Sequence, residues 1–157
     1  MAETWTIQLR SPLAGDLVGQ QLVVAAIGTA FEASYGWRLL TDAGDVVQDG
    51  FFQAGSMGTL EAFAQSVPMT HTHVGPATFE LFGDDPSGEH APGADLVSAR
   101  VVLVPGARGY RPHQVVRGDT LSALAREHGS QVAWIVAANG IPNPDLIRVG
   151  QVLRIPV

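Results

Sequence analysis

The chain reads as two units: an all-β antiparallel sandwich over residues 1–105, then a small α+β module ordered strand, helix, helix, strand over 113–157, with 106–112 as the linker. Three observations predict this. Short apolar runs of strand length recur through the first two thirds, divided by Gly, Asp and Pro. After the break Pro105, Gly106, Ala107, Arg108, Gly109, the apolar spacing becomes helical. The charge also changes sign, with 3 Arg against 12 acids in residues 1–105 and 6 Arg against 3 acids in 106–157, inside a net charge of -6.

Composition bounds what the chain can be. Hydrophobic residues make up 46% and charged residues 15% of 157, enough apolar material for a core, and the scattered 18 Gly and 10 Pro suit many short elements joined by turns. The absence of cysteine removes disulfide frameworks, thiolate zinc sites and cysteine nucleophiles together. The acidic body argues against nucleic acid as a partner, since phosphate neutralisation needs a dominant basic face. No apolar run approaches the roughly 18 residues of a membrane span. The start, MAETWTIQLR, has neither a basic nor an apolar leader region, so no signal peptide is visible and the export route stays open.

In order along the first unit, TWTIQL alternates, SPLAGD breaks, QLVVAAIG is an apolar run, and YGWRLL precedes the DAGD turn. VVQDGFFQAG, LEAFAQSVPM, ATFELFG and LVSARVVLVP follow, each long enough for one strand of about five to eight residues. This predicts a sandwich, and a small barrel would give nearly the same pattern. Trp37, Phe31 and Phe79 are expected in its core. Ser11 and Pro12, then Gly28, Ala30, Phe31 and Glu32, then Asp42 and Gly44, together resemble the immunoglobulin-like domain of bacterial spore-germination and envelope proteins. Phe79 to Phe82 with Asp84, Asp85 and Gly88 match that family's late strand and acidic turn. The resemblance implies an immunoglobulin-like sandwich used for adhesion or assembly, without chemistry of its own.

In the second unit HQVV reads as a strand, and Asp119 or Thr120 can cap a helix carrying Leu121, Leu124 and Ala125 on one face until Gly129. Ser130 can cap a second helix with Val132, Ile135 and Val136, stopped by Asn139 and Gly140, and Trp134 is expected to pack within the helix pair. The prolines of IPNPDLIRVGQ forbid regular structure, and VLRIPV closes as a strand. Val115 and Val116, the Gly118, Asp119, Thr120, Leu121 box, Ile135, Asn139, and the closing Ile147, Gly150, Gln151, Leu153, Ile155 and Pro156 make residues 113–157 similar to a LysM domain. That resemblance implies a shallow groove for peptidoglycan or a chitin-like polymer of N-acetylglucosamine. It would be lined by Gly118, Asp119, Thr120 and Leu121 from one loop and Ile141, Asn143, Leu146 and Ile147 from the other. Such a ligand offers amides, hydroxyls and a methyl group, which calls for polar groups beside a small apolar shelf. Asp119 and Thr120 are equally what a helix N-cap requires, and Leu121 and Ile147 equally suit a core.

Three histidines carry a rival expectation. His71 and His73 flank Thr72, and on a strand residues i and i+2 share a face, so both can reach one copper or zinc ion, with His90 in the turn DDPSGEHAPGAD as a third ligand. His-x-His on a sandwich strand is similar to part of the copper site of copper superoxide dismutases, although no disulfide cysteines or zinc-loop pattern accompany it. HExxH, GxSxG and Cys–His pairs are absent. The expectation is therefore a non-catalytic cell-envelope protein that needs no cofactor, tethered to glycan by LysM with the sandwich as scaffold. The alternatives are a copper-dependent redox protein on the same tether and a structural subunit of a larger surface assembly, with envelope or surface-layer proteins as partners.

Overall fold

A computed structural model describes residues 7–83 and 95–157. The expectations placed on Asp84, Asp85, Gly88 and His90, and on the side chain of Phe31, lie outside it. The first unit is a two-sheet sandwich. One sheet has three strands in the order β1 (Ile7–Ser11), β3 (Gln21–Gly28), β6 (Glu61–Pro68). The other has five, in the order β2 (Leu17–Val18), β8 (Val97–Leu103), β7 (Gly75–Gly83), β4 (Ser34–Leu40), β5 (Val46–Gln53). Among the described residues every pairing is antiparallel except one: β2 runs parallel to β8, with Leu17 opposite Val102 and Val18 opposite Leu103.

The period-2 rule explains which residues fill the space between the sheets. Leu22, Val24 and Ala26 of β3, Tyr35, Trp37 and Leu39 of β4, Ala77, Phe79 and Leu81 of β7, and Val101 and Leu103 of β8 all point inward and join one buried cluster. Trp37 and Phe79 are therefore core, as their setting in the sequence predicts. Burial of each such large side chain contributes about 1.5–3 kcal/mol before the entropy of ordering it is subtracted.

The second unit has its own core. β9 (Tyr110–Gln114) pairs antiparallel with β10 (Val152–Pro156), and α1 (Leu121–His128) and α2 (Val132–Asn139) lie between them in sequence. Val115, Leu121, Leu124, Ala125, Ile135, Ile141, Leu153 and Ile155 form the buried cluster. Thr120 is the N-cap of α1, its Oγ1 accepting from the Ala123 N–H at 3.1 Å, and Gly129 ends the helix in the left-handed region at φ 67°. Ser130 does not cap α2. Its N–H closes α1 on the Ala125 carbonyl at 2.7 Å, which leaves Gln131 at the N-cap position without a side-chain cap bond.

The stretch 106–112 is only partly a linker, because Tyr110, Arg111 and Pro112 are paired with Pro156, Ile155 and Arg154. Pro112 is tolerated there because a two-stranded sheet leaves one side of each strand without a partner. The junction is tight. A Cβ on Gly19 would lie 1.9 Å from the Ala107 carbonyl oxygen, so only glycine fits, and that oxygen accepts the Gln20 N–H at 2.8 Å. Arg154 reaches across with Nη1 on the Gly15 carbonyl at 2.7 Å. Trp134 is half-buried beside Gly106 at this junction rather than packed between the helices, because α2 turns a face toward β7 and β8.

Candidate functional site

The first loop is a closed turn. Gly118 adopts φ 94°, the left-handed conformation that the third position of such a turn requires, and the Asp119 N–H returns to the Val116 carbonyl at 3.1 Å. The Asp119 side chain closes the same turn from the other side, with Oδ2 accepting the Val116 N–H at 2.9 Å and lying 2.8 Å from His113 Nε2. His113, and then the Val116 N–H, hold the Asp119 carboxyl below the ordinary carboxylate range. Thr120 is occupied in capping α1, and Leu121 is 3% exposed.

The second loop is built on Asn143. Its Oδ1 accepts the Asp145 N–H and its carbonyl accepts the Leu146 N–H, both at 3.0 Å, a local turn suited to the flanking prolines. Ile141 is buried in the module core and Ile147 packs half-buried against it, whereas Leu146 is 70% exposed. The two loops therefore converge on one core through Leu121, Ile141 and Ile147, and they present Asn143 and Leu146 to solvent. Leu121 and Ile141 as side-chain ligand contacts do not fit this arrangement, because their apolar groups are packed in the module core.

Sequence reasoning missed the exposed apolar side chains of Val116 and Val149 as members of the candidate site. The Gly150 N–H bonds to the Val115 carbonyl at 2.8 Å, which brings their segments together beside the first turn. The signal in the sequence was that each valine lies one or two residues before a turn glycine, where an apolar side chain has no core to enter.

The histidine pair is not on a strand. His71 and His73 lie in the loop between β6 and β7, so the alternation that would aim both rings to one side does not apply. Among the described residues no group of three His, Asp or Glu is placed to hold a metal, and His90 lies outside them. Both ring nitrogens of His71 are buried without a hydrogen-bond partner. Burial, and then the charge of His73, push its pKa below the ordinary imidazole value, while the main chain of His73 offsets this in part without closing a hydrogen bond. Between an unfolded value of about 6.5 and the lower folded value, the unfolded chain takes up the proton first. Stability is therefore full above that window and falls as pH drops through it. His71→Leu is expected to flatten the fall in melting temperature of the sandwich between pH 7.5 and pH 5; parallel curves for variant and parent would contradict this.

A family model described as the immunoglobulin-like domain of bacterial spore germination matches residues 6–90, more than half of the chain. The chain belongs to that immunoglobulin-like family. A LysM domain model matches residues 113–156. N-acetylmuramoyl-L-alanine amidase XlyA of Bacillus subtilis is 48% identical over 48 residues, 31% of this chain and 16% of that protein. The secreted LysM effector slp2 of Pyricularia oryzae is 50% identical over 44 residues, 28% of this chain and 15% of that protein. The chain thus spans about a sixth of the length of these curated relatives. The crystal structure of CopC from Methylosinus trichosporium OB3b aligns with a TM-score of 0.38 and 17% identity over 63% of this chain and 94% of that one, a likeness that carries no argument.

Within the LysM domain, Asn139 has a structural part. Its Nδ2 donates to the carbonyls of Ile135 and Arg154, and its Oδ1 accepts the Arg154 N–H, each at 2.8 Å, which ties the end of α2 to β10. The loops of the LysM domain expose the Gly118 turn, Asn143, Leu146, Val116 and Val149.

Proposed function

We propose that the chain binds a polymer of N-acetylglucosamine, peptidoglycan first, through the LysM domain without cleaving it, and that the immunoglobulin-like sandwich is the scaffold so held at the cell envelope. The observation that carries this reading is the pairing of a closed polar turn at Val116–Asp119 with an apolar side chain, Leu146, that is 70% exposed on the second loop. Polar groups of the turn suit acetamido and hydroxyl groups, and Leu146 offers a surface for the acetyl methyl or a sugar face. The LysM match supports it, as does a relative named for its action on the N-acetylmuramoyl-L-alanine linkage. The site is shallow, so one module gives weak binding and repeated glycan or clustered copies raise it.

The test is sedimentation of the full chain with insoluble peptidoglycan. The parent is expected in the pellet, and Leu146→Asp is expected to bind about tenfold more weakly, as for a central contact residue, with its melting temperature unchanged. A parent left in the supernatant, or a variant that pellets equally well, would overturn the reading. Leu121→Asp is unsuited to this purpose, since that side chain is core.

A further inference from the structure

The Asp119 carboxylate is held in an unequal way. Both of its bonds, from the Val116 N–H at 2.9 Å and His113 Nε2 at 2.8 Å, fall on Oδ2, and Oδ1 has no partner among the described residues. His113 and Asp119 are half-buried, with side chains 22% and 19% exposed. On its other side the His113 ring meets the His128 ring edge to face, centroids 5.8 Å apart and planes at 67°. His128 Nε2 is buried without a partner. The opposite residue on β10, Leu153, is apolar, so the groups that bear electrostatically on His113 are Asp119 from the turn and His128 from the end of α1.

We propose that His113 is a positioning residue of the glycan site, donating from Nε2 to Oδ2 of Asp119 so that Oδ1 stays available to accept a hydroxyl or acetamido N–H of the sugar. The role rests on the glycan reading above. The same contact, and then the Val116 N–H, lower the Asp119 pKa, so the carboxylate stays ionised and an acceptor. The His128 ring packs edge to face against His113 and supports its orientation toward Oδ2.

The experiment is calorimetric titration of the full chain with a soluble, uncharged N-acetylglucosamine oligomer at neutral pH. His113→Phe, which keeps the ring contact with His128 but has no donor, is expected to bind several-fold more weakly. His113→Gln, which can donate to Oδ2, is expected to recover most of the affinity. Parent-like affinity in His113→Phe, or no recovery in His113→Gln, would refute this role and leave the glycan reading standing. A parent that does not bind would sink both.

Discussion

Leu121→Asp is expected to unfold residues 113–157 while the sandwich stays folded. Leu121 is 3% exposed and belongs to a core of eight buried residues, Val115, Leu121, Leu124, Ala125, Ile135, Ile141, Leu153 and Ile155. Removing a buried leucine costs about 2–5 kcal/mol through lost burial and the cavity left behind. A carboxylate in its place adds the penalty of an unpaired charge. A unit this small buries little surface for its length and has only a few kcal/mol of stability to lose. The sandwich has a separate core, so its own transition is retained. Circular dichroism should show loss of the helical signal, and limited proteolysis should degrade the C-terminal third while sparing the rest. A variant that keeps its helices and resists proteolysis would show that Leu121 is not the core residue its burial indicates.

Asn139→Ala should destabilise the LysM domain by about 2–4 kcal/mol, a large effect for the loss of one polar side chain. Three hydrogen bonds of 2.8 Å converge on this half-buried amide, from or to Ile135, and both main-chain groups of Arg154. Alanine removes the partners and leaves the Arg154 N–H and carbonyl facing protein on the inner side, at about 1–3 kcal/mol for each buried group left unpaired. Asn139→Asp is a sharper control: it keeps the acceptor for the Arg154 N–H, loses the donor to two carbonyls, and sets a negative charge against them. Thermal unfolding of the full chain should show the C-terminal transition lowered in both variants and the sandwich transition unmoved. Equal melting in Asn139→Ala would mean that water replaces the amide without loss, and the tie between α2 and β10 would then be incidental.

Much of the architecture was legible because its causes are local. The alternation in QLVVAAIG places Leu22, Val24 and Ala26 on one face whatever the rest of the chain does, and Gly129 and Gly140 end their helices because a left-handed residue is needed there. The parallel contact of β2 with β8 was not legible, since a two-residue strand carries no periodic signal and its partner lies some 85 residues away in sequence. Ser130 misled for a related reason: its residue type suits an N-cap, but its main chain was already engaged in closing the preceding helix. The His71 and His73 reading depended on a strand that ends at Pro68 and does not resume until Gly75.

Residue order along the chain was sufficient for the two-unit division, the layered β architecture, the strand-helix-helix-strand order and the family motifs. Each of these follows from patterns within a window of a few to a dozen residues. Which motif residues can meet a ligand was decided only by packing. Leu121 and Leu146 are the same residue type in the two candidate loops, yet one is 3% and the other 70% exposed, because α1 turns Leu121 into the core and the Asn143 turn lifts Leu146 off it. The clamp of His113 on Asp119, the pairing of Arg154 with Gly15 and the glycine-only contact of Gly19 with Ala107 likewise join groups whose proximity exists only after the strands have paired and the two units have closed on each other.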